Sequence, residues 1–434
     1  MTKPRIAIVG SGISGSGAAW ALRNAATVTI FESDARIGGH SNTIDAIVQG
    51  QSIPVDTGFI VYNEPNYPNL KGLFAALDVT TEASDMSFAV SIDKGRLEYS
   101  GTNIKGMFAQ RSNLVRPGYW RMLLDITRFY KDAAALLKLP ADLSMSLGDF
   151  LAQGRYGDRF IYDHLLPMGA AIWSTPINDM LGFPALSYMR FFKNHGLLSL
   201  NDRPAWRTVS GGSRAYVRKL AAAHGAQIRL GVALRAVRRE ADGVIVTLPD
   251  GSEERFDQIL FACPADRTLE MLSDASDRER AALSPFYFQP NQAWLHSDPA
   301  LMPRRRRAWA SWNYLGDGIG RRTRAVSLTY WMNLLQNLDP DKPLFVTLNP
   351  ATPPRPELTQ GVFEYRHPVF NAAAWAAQSN VEALQGDNRT WHSGAWLGYG
   401  FHEDGLRSGL RAALAMGGEV PWPHAMTPAG RDAT

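Results

Sequence analysis

Apolar positions along the chain form two kinds of run. Short, nearly unbroken stretches, Ile6-Ala7-Ile8-Val9, Val28-Thr29-Ile30-Phe31 and Gln258-Ile259-Leu260-Phe261, read as strands. Ala325–Met332 and Leu344–Leu348 are richer in aromatics and alternate, which suits a sheet with one face toward a pocket. Helical spacing appears in the small-residue stretch Gly17–Leu22, in Tyr119–Tyr130 and in Arg214–Ala223. Gly243–Val246 reads as a further strand, followed by a turn at Asp250-Gly251. No internal repeat or low-complexity tract argues for a solenoid.

Strand Ile6–Val9 runs straight into Gly10-Ser11-Gly12-Ile13-Ser14-Gly15 and then into the small-residue helix. In that order, side chains at Gly10 or Gly12 would keep a pyrophosphate from the helix amides, and Gly15 lets helix and sheet pack closely. Glu32 closes the next strand about 20 residues beyond the turn, where a carboxylate can take both hydroxyls of an adenosine ribose and disfavours a 2′-phosphate. Together these residues predict an α/β fold opening on a dinucleotide-binding βαβ unit.

With 434 residues the chain exceeds what a single core usually supports, so two domains are expected. Its composition, 45% hydrophobic and 20% charged, is that of a globular protein. A single cysteine, Cys263, excludes an internal disulfide and suits a reducing compartment. The apolar run at Ile6–Val9 is too short for a secretory signal, and no stretch approaches the roughly 20 apolar residues of a membrane span. A cytoplasmic protein is expected, peripheral on the inner face of a membrane if it meets one.

Net charge is only +4, yet basic residues cluster at Arg304–Arg307, beside Trp309 and Trp312, with Arg321, Arg322 and Arg324 close behind. Between Lys105 and Lys138 seven basic side chains face only Asp125 and Asp132, on a helix expected to carry Trp and Phe on one side. Such surfaces suit an anionic membrane or, equally, a solvated basic face. Nucleic acid is not expected, since no recognised module is present. Nine scattered histidines offer no metal site, and no Ser/His/Asp triad stands out. A homodimer stays open as an expectation.

After Glu32 the chain continues Ser33-Asp34-Ala35-Arg36-Ile37-Gly38-Gly39-His40-Ser41-Asn42-Thr43. This resembles glutathione-reductase-type FAD enzymes, in the branch that holds flavin amine oxidases, protoporphyrinogen oxidase and phytoene desaturases. His40 stands where that family usually has a second arginine. The likeness continues in Val55-Asp56-Thr57-Gly58-Phe59, in Ile228–Val237, which looks like the family strand whose backbone at Leu234 bonds the adenine, in Phe261-Ala262-Cys263-Pro264, and in Ser393–Trp396 with Gly400–Gly409. It implies non-covalent FAD held by Gly10, Gly12, Ile13, Ser14, Gly15, Glu32, Arg36, Gly38, Gly39, His40, Ser41, Gly58, Phe59, Leu234, Trp396, Glu403, Asp404, Gly405 and Leu406. It further implies a Rossmann-like FAD-binding domain over 1–75, 205–270 and 385–422, an inserted α+β substrate domain over 76–204 and 271–384, and a flexible tail over 423–434. Leu165–Ser174 would be an apolar lid.

Asp56–Asn63 and Gly400–Gly405 resemble most a bacterial subgroup associated with cyclopropane-type fatty-acyl methyltransferases. The resemblance implies dehydrogenation of a methylated unsaturated acyl chain of phospholipid, on the route to furan fatty acids. A soluble amine oxidase, and a protein using FAD without net redox as an isomerase or membrane-bound accessory, are the alternatives. His195, Tyr62 and His402 are the candidate proton-transferring residues by type and by nearness to these segments.

Overall fold

The computed structural model describes residues 2–139, 144–173, 177–199, 203–317 and 325–422. A five-stranded parallel sheet forms its nucleotide side, ordered Gln227–Arg229, Thr27–Phe31, Arg5–Val9, Gln258–Phe261 and Thr390–His392. In Arg5–Val9 and Thr27–Phe31 every residue after the first is buried, because a parallel sheet is covered on both faces. Helix Ile13–Leu22 covers one of them. All ten of its residues are buried, and their small side chains let it lie between the sheet and the terminal helix His402–Ala415.

Ile228–Val237 is not one strand. It splits into Gln227–Arg229, in the parallel sheet, and Ala236–Glu240, in a separate antiparallel meander with Gly243–Thr247 and Glu253–Phe256. The break falls at Gly231, whose φ of 68° cannot continue a strand.

A seven-stranded sheet forms the other side, ordered Thr359–Val369, Tyr287–His296, Phe345–Leu348, Ala325–Trp331, Trp312–Asp317, Phe88–Ile92 and Leu97–Ser100. All its pairings are antiparallel except Trp312–Asp317 with Phe88–Ile92, which joins two distant stretches of chain into one sheet. Helices from Ile104 to Asn194 pack on it around Tyr119, Phe129, Phe160, Phe183, Tyr188 and Phe192.

The basic helix spans Pro117–Leu136, and its aromatics do not share a side. Phe129 is buried in the core, whereas Trp120 lies 46% exposed on the outer face. The apolar stretch after Leu165 is a helix, Leu166–Trp173. Ser174, Arg321, Arg322, Arg324 and the tail 423–434 lie outside the described residues. No helix among the described residues is long and apolar enough to cross a membrane, and none of their His, Cys, Asp and Glu side chains gather in threes to hold a metal.

Candidate active site

The nucleotide end is shaped by backbone that leaves no room for side chains. A Cβ at Gly15 would lie 2.0 Å from the Gly10 carbonyl oxygen, so any larger residue would break the turn. At Gly12 the opposite holds: a Cβ there meets nothing within 4 Å. That open space faces the start of helix Ile13–Leu22, which has no side-chain cap and whose first-turn amides have no partners inside the helix. An uncapped helix start beside an open cradle is a phosphate site.

Glu32 is buried beside it. Its carboxylate accepts the Ser11 amide at 2.8 Å, the Ser11 hydroxyl at 2.6 Å and the Asp34 amide at 2.9 Å. The hydroxyl is a rotor that a ribose diol can displace. The Gly38-Gly39 turn crosses this loop, with the Gly39 Cβ position 3.2 Å from the Gly12 Cα. Arg36 stands half-exposed at its edge, 4.0 Å from Asp34.

Further along the cleft, the Phe59 amide donates to the His40 carbonyl oxygen at 2.8 Å, and a Cβ at Gly58 would strike that oxygen at 2.1 Å. The Phe59 ring stacks on His402, with centroids 3.8 Å apart and planes 10° from parallel. His402 Nε2 reaches the Tyr216 hydroxyl at 2.6 Å and the Ser41 hydroxyl at 3.3 Å, and those hydroxyls lie 2.5 Å apart. His40 is accessible to solvent although protein surrounds it, so it lines a cleft and not the outer surface; its ring lies beside Tyr365 and His367. Desolvation, with Arg36 adding to it, pushes His40 down to about 4. His402 falls to about 3 for the same first reason, with His40 as its repelling neighbour. Both are neutral at pH 7.

Next to His402, through Phe401, lies an aromatic cluster, here the basket, packed in the helical core. Phe191 contacts Trp173 at 4.7 Å, His195 at 3.9 Å and Phe401 at 4.9 Å, while Tyr399 meets Trp375 at 5.1 Å. Burial lowers His195 to about 4. Its Nδ1 sits 3.0 Å from the Phe191 carbonyl oxygen, so Nδ1 carries the hydrogen and Nε2 is left as a bare acceptor. Arg190 hydrogen-bonds Tyr399 at the basket's edge.

The side chains of several residues expected at the cofactor also have partners within the fold. Glu403 accepts the Asn69 and Leu70 amides, each at 3.0 Å, and so anchors helix Pro68–Ala76. Asp404 accepts the Tyr399 and Phe401 amides and pairs with Arg407. The Trp396 indole donates to the Cys263 carbonyl oxygen and packs on Phe286. Leu234 packs in the core with Phe31 and Val237. Gly405 and Leu406 serve helix packing: a Cβ at Gly405 would lie 3.2 Å from Ile13 Cγ2, and Leu406 packs against Gly17. Ser14 bonds Ser393 at 2.8 Å and so ties the first helix start to the end of strand Thr390–His392. Tyr62 is a core residue whose hydroxyl reaches Thr81 at 3.3 Å, remote from the basket in packing.

Two groups were not anticipated. Asp56 is fully buried and accepts the Thr43 hydroxyl at 2.6 Å, the Ser213 hydroxyl at 2.7 Å and the Ser213 amide at 2.9 Å. Burial raises it to about 6. Tyr216 organises Ser41 and His402 from a helix that reads in sequence only as amphipathic.

Residues 13–403 match the family model for flavin containing amine oxidoreductases, most of the chain. The chain belongs to the flavin-containing amine oxidoreductase family. It is therefore an FAD-dependent oxidoreductase, and its residues fit the cofactor. Gly12, the first-turn amides and Glu32 would hold the nucleotide, Gly38 to Ser41 the pyrophosphate, and Gly58, Phe59 and His402 would border the flavin ring.

Solved structures share the fold of this oxidoreductase. A CLA-producing fatty acid isomerase from P. acnes is 16% identical with a TM-score of 0.67, over 95% of this chain and 98% of that one. Cyclohexylamine oxidase from Brevibacterium oxydans IH-35A is 15% identical with a TM-score of 0.68, over 95% and 98%. Putrescine oxidase bound to putrescine is 16% identical with a TM-score of 0.65, over 95% and 99%. No curated protein sequence matches the chain.

Proposed function

We propose that this oxidoreductase removes two hydrogens from a methylated unsaturated acyl chain of a membrane phospholipid. The observation that carries the reading is the basket around Phe191. It is aromatic, its histidine is neutral, and at its edge Arg190 hydrogen-bonds Tyr399. Glu403 and Asp404, the carboxylates on the adjoining helix start, are already bound by amides, and Asp404 also by Arg407. A cationic amine finds no counter-ion in these groups, whereas an acyl chain loses nothing by entering.

FAD, when bound, accepts a hydride at its N5. An allylic C–H beside a methylated alkene is a suitable donor, because the developing positive charge is delocalised. The basket residues exclude water and hold the chain in place. His195 takes the remaining proton on Nε2, since Nδ1 is occupied by the Phe191 carbonyl oxygen. An electron acceptor in a second half-reaction restores the oxidised cofactor. The fold shared with a fatty acid isomerase supports room for an acyl chain in this architecture.

The test is mass spectrometry of membrane lipids from cells with and without the gene, supplied with a methylated monounsaturated acyl chain. Loss of two hydrogens only when the gene is present supports the reading. A double bond moved at unchanged mass makes the chain an isomerase. Unchanged lipids alongside yellow, FAD-loaded protein overturn the reading and bring amine oxidation forward.

A further inference from the structure

The stretch from Ile104 to Leu124 exposes apolar side chains that a soluble surface has no use for. Val115 is 82% exposed, Ile104 78%, Leu124 69%, Leu114 50% and Trp120 46%. They come from three consecutive elements, the short helix Ile104–Met107, the turn Arg111–Val115 and the helix Pro117–Leu136. Contacts hold the three together. The Trp120 indole donates to the Leu114 carbonyl oxygen at 2.9 Å, and the Tyr119 hydroxyl to that of Met107 at 2.7 Å. On the long helix, Trp120 and Leu124 stand one turn apart on the outer face, while Tyr119, Met122, Ile126 and Phe129 face the core. The outer apolar residues are thus additional to those the fold needs.

Charge separates across the same helix. Both of its acids are engaged inward: Asp125 accepts the Gly157 amide and pairs with Arg128, and Asp132 accepts the Tyr156 hydroxyl. Lys105, Arg111 and Arg121 are exposed and form no ion pair among the described residues. Beside them lies a groove of about 550 Å³, bounded by Ala109–Ser112 on one wall and Arg305–Arg307 on the other. The arginine turn is rigidly placed. The fully buried Glu98 accepts the Arg304 and Arg305 amides and the Arg305 guanidinium, and Arg306 lies over the Trp309 ring at 4.7 Å. Arg111 and Arg307 remain to face the groove from either wall.

We infer that this face docks the protein on an anionic phospholipid bilayer, with Leu114, Val115, Trp120 and Leu124 entering the interface and Arg111 and Arg307 meeting lipid phosphate. Apolar side chains ringed by cations, with the carboxylates turned away, match a surface that is apolar at depth and anionic at its edge. The inference rests on the surface alone, and its test reads binding without turnover, so the acyl-chain reading and the docking face can fail separately.

FAD-loaded protein is sedimented with vesicles of phosphatidylcholine alone or mixed equally with phosphatidylglycerol. Binding is expected to the mixed vesicles and to weaken as salt is raised. Val115→Asp with Leu124→Asp should weaken it by at least about tenfold, from the lost apolar burial. Arg111→Gln and Arg307→Gln should each cost about fivefold, from the charge removed near an anionic surface. Ile47→Asp, at an exposed apolar residue on the separate Thr43–Val48 strand, should leave binding unchanged. Flavin content and thermal midpoint establish that each variant is folded. No binding to mixed vesicles at low salt overturns the inference. So does a loss seen with the arginine variants but not with the apolar ones, which would mark a groove for a soluble polyanion such as RNA.

Discussion

A side chain at Gly15 would sit 2.0 Å from a backbone oxygen, whereas the rings around Phe191 meet at ordinary contact distances, between 3.9 and 4.9 Å for its three closest partners. The nucleotide end is therefore specified by what cannot be there, and the aromatic end by what happens to fill it. Exclusion by backbone allows few sequences; apolar filling allows many of similar volume. One end can be recognised across a family, while the other can change substrate without changing fold.

The largest effect should come from setting Gly12 against Gly15. Gly12→Asp places a carboxylate in open space at the helix start, so the protein should fold normally and bind no flavin. Gly15→Val collides with backbone and should yield no folded protein. Absorbance of bound flavin and circular dichroism separate the two. Equal loss of fold in both variants would break the comparison, because the Gly12 cradle would then be structural.

That contrast explains what could be read in the sequence. The strand, glycine turn, helix and acid at Ile6–Glu32 carry their geometry in residue type, and the structure realises them as the parallel sheet and buried helix. Gly58 was legible for the same reason. The roles of Tyr216, Asp56 and Glu403 were not, since each is set by a partner more than a hundred residues away: Tyr216 by Ser41 and His402, Asp56 by Ser213, Glu403 by Asn69. Glu403 and Asp404, expected at the cofactor from the resemblance of the terminal motif, have carboxylates that accept amides, Glu403 from distant Asn69 and Leu70 and Asp404 from neighbouring Tyr399 and Phe401. Trp120 and Phe129 were expected on one side, yet nine positions at about 100° per residue put them on opposite faces of a helix, as the structure has them.

Next in size is His195→Ala. Removing a positioned base should lower turnover by roughly 10²- to 10⁴-fold while flavin content stays unchanged. His195→Gln should recover little, because an amide cannot take the proton. Since burial holds His195 near 4, the activity should show no titration of this group between pH 6 and 8. Full activity in His195→Ala would make the basket a binding surface only and move the proton to another acceptor.

Stability against pH distinguishes the two sides less sharply but reaches the whole molecule. All eight described histidines are depressed by burial, including His296 to about 4, and an unfolded chain titrates them near 6.5. Below pH 6.5 the unfolded chain binds protons that the folded one refuses, so stability falls with acidification toward pH 4. Asp56, raised to about 6, and Glu403, raised to about 7, act in the opposite sense, since the folded chain keeps protons there that the unfolded one has released. Asp404 is raised by burial in the same sense, and eight groups outweigh three, so the thermal midpoint should drop as pH falls from 6.5 to 4. His296→Gln should flatten that slope. His296 accepts the Asp298 amide on Nδ1 at 3.1 Å and bonds Thr347 through Nε2, so protonation would set two N–H groups face to face.

The smallest effect belongs to Tyr62→Phe. Tyr62 lies just beyond Val55–Phe59, the segment that resembles the family's flavin-facing stretch, yet it is 3% exposed and packs between Tyr67 and Phe74. Its hydroxyl makes one long bond, 3.3 Å to Thr81, and Thr81 already receives Arg207 at 2.9 Å. Deleting the hydroxyl should cost at most about 1 kcal/mol of stability and leave turnover unchanged, because the ring fills the same volume. Chemical denaturation and steady-state turnover measure the two separately. A slowed reaction at unchanged stability would mean that Tyr62 reaches the reacting atoms through the Phe74 and Tyr216 rings, and that packing at the nucleotide end is less independent of the chemistry than its backbone geometry implies.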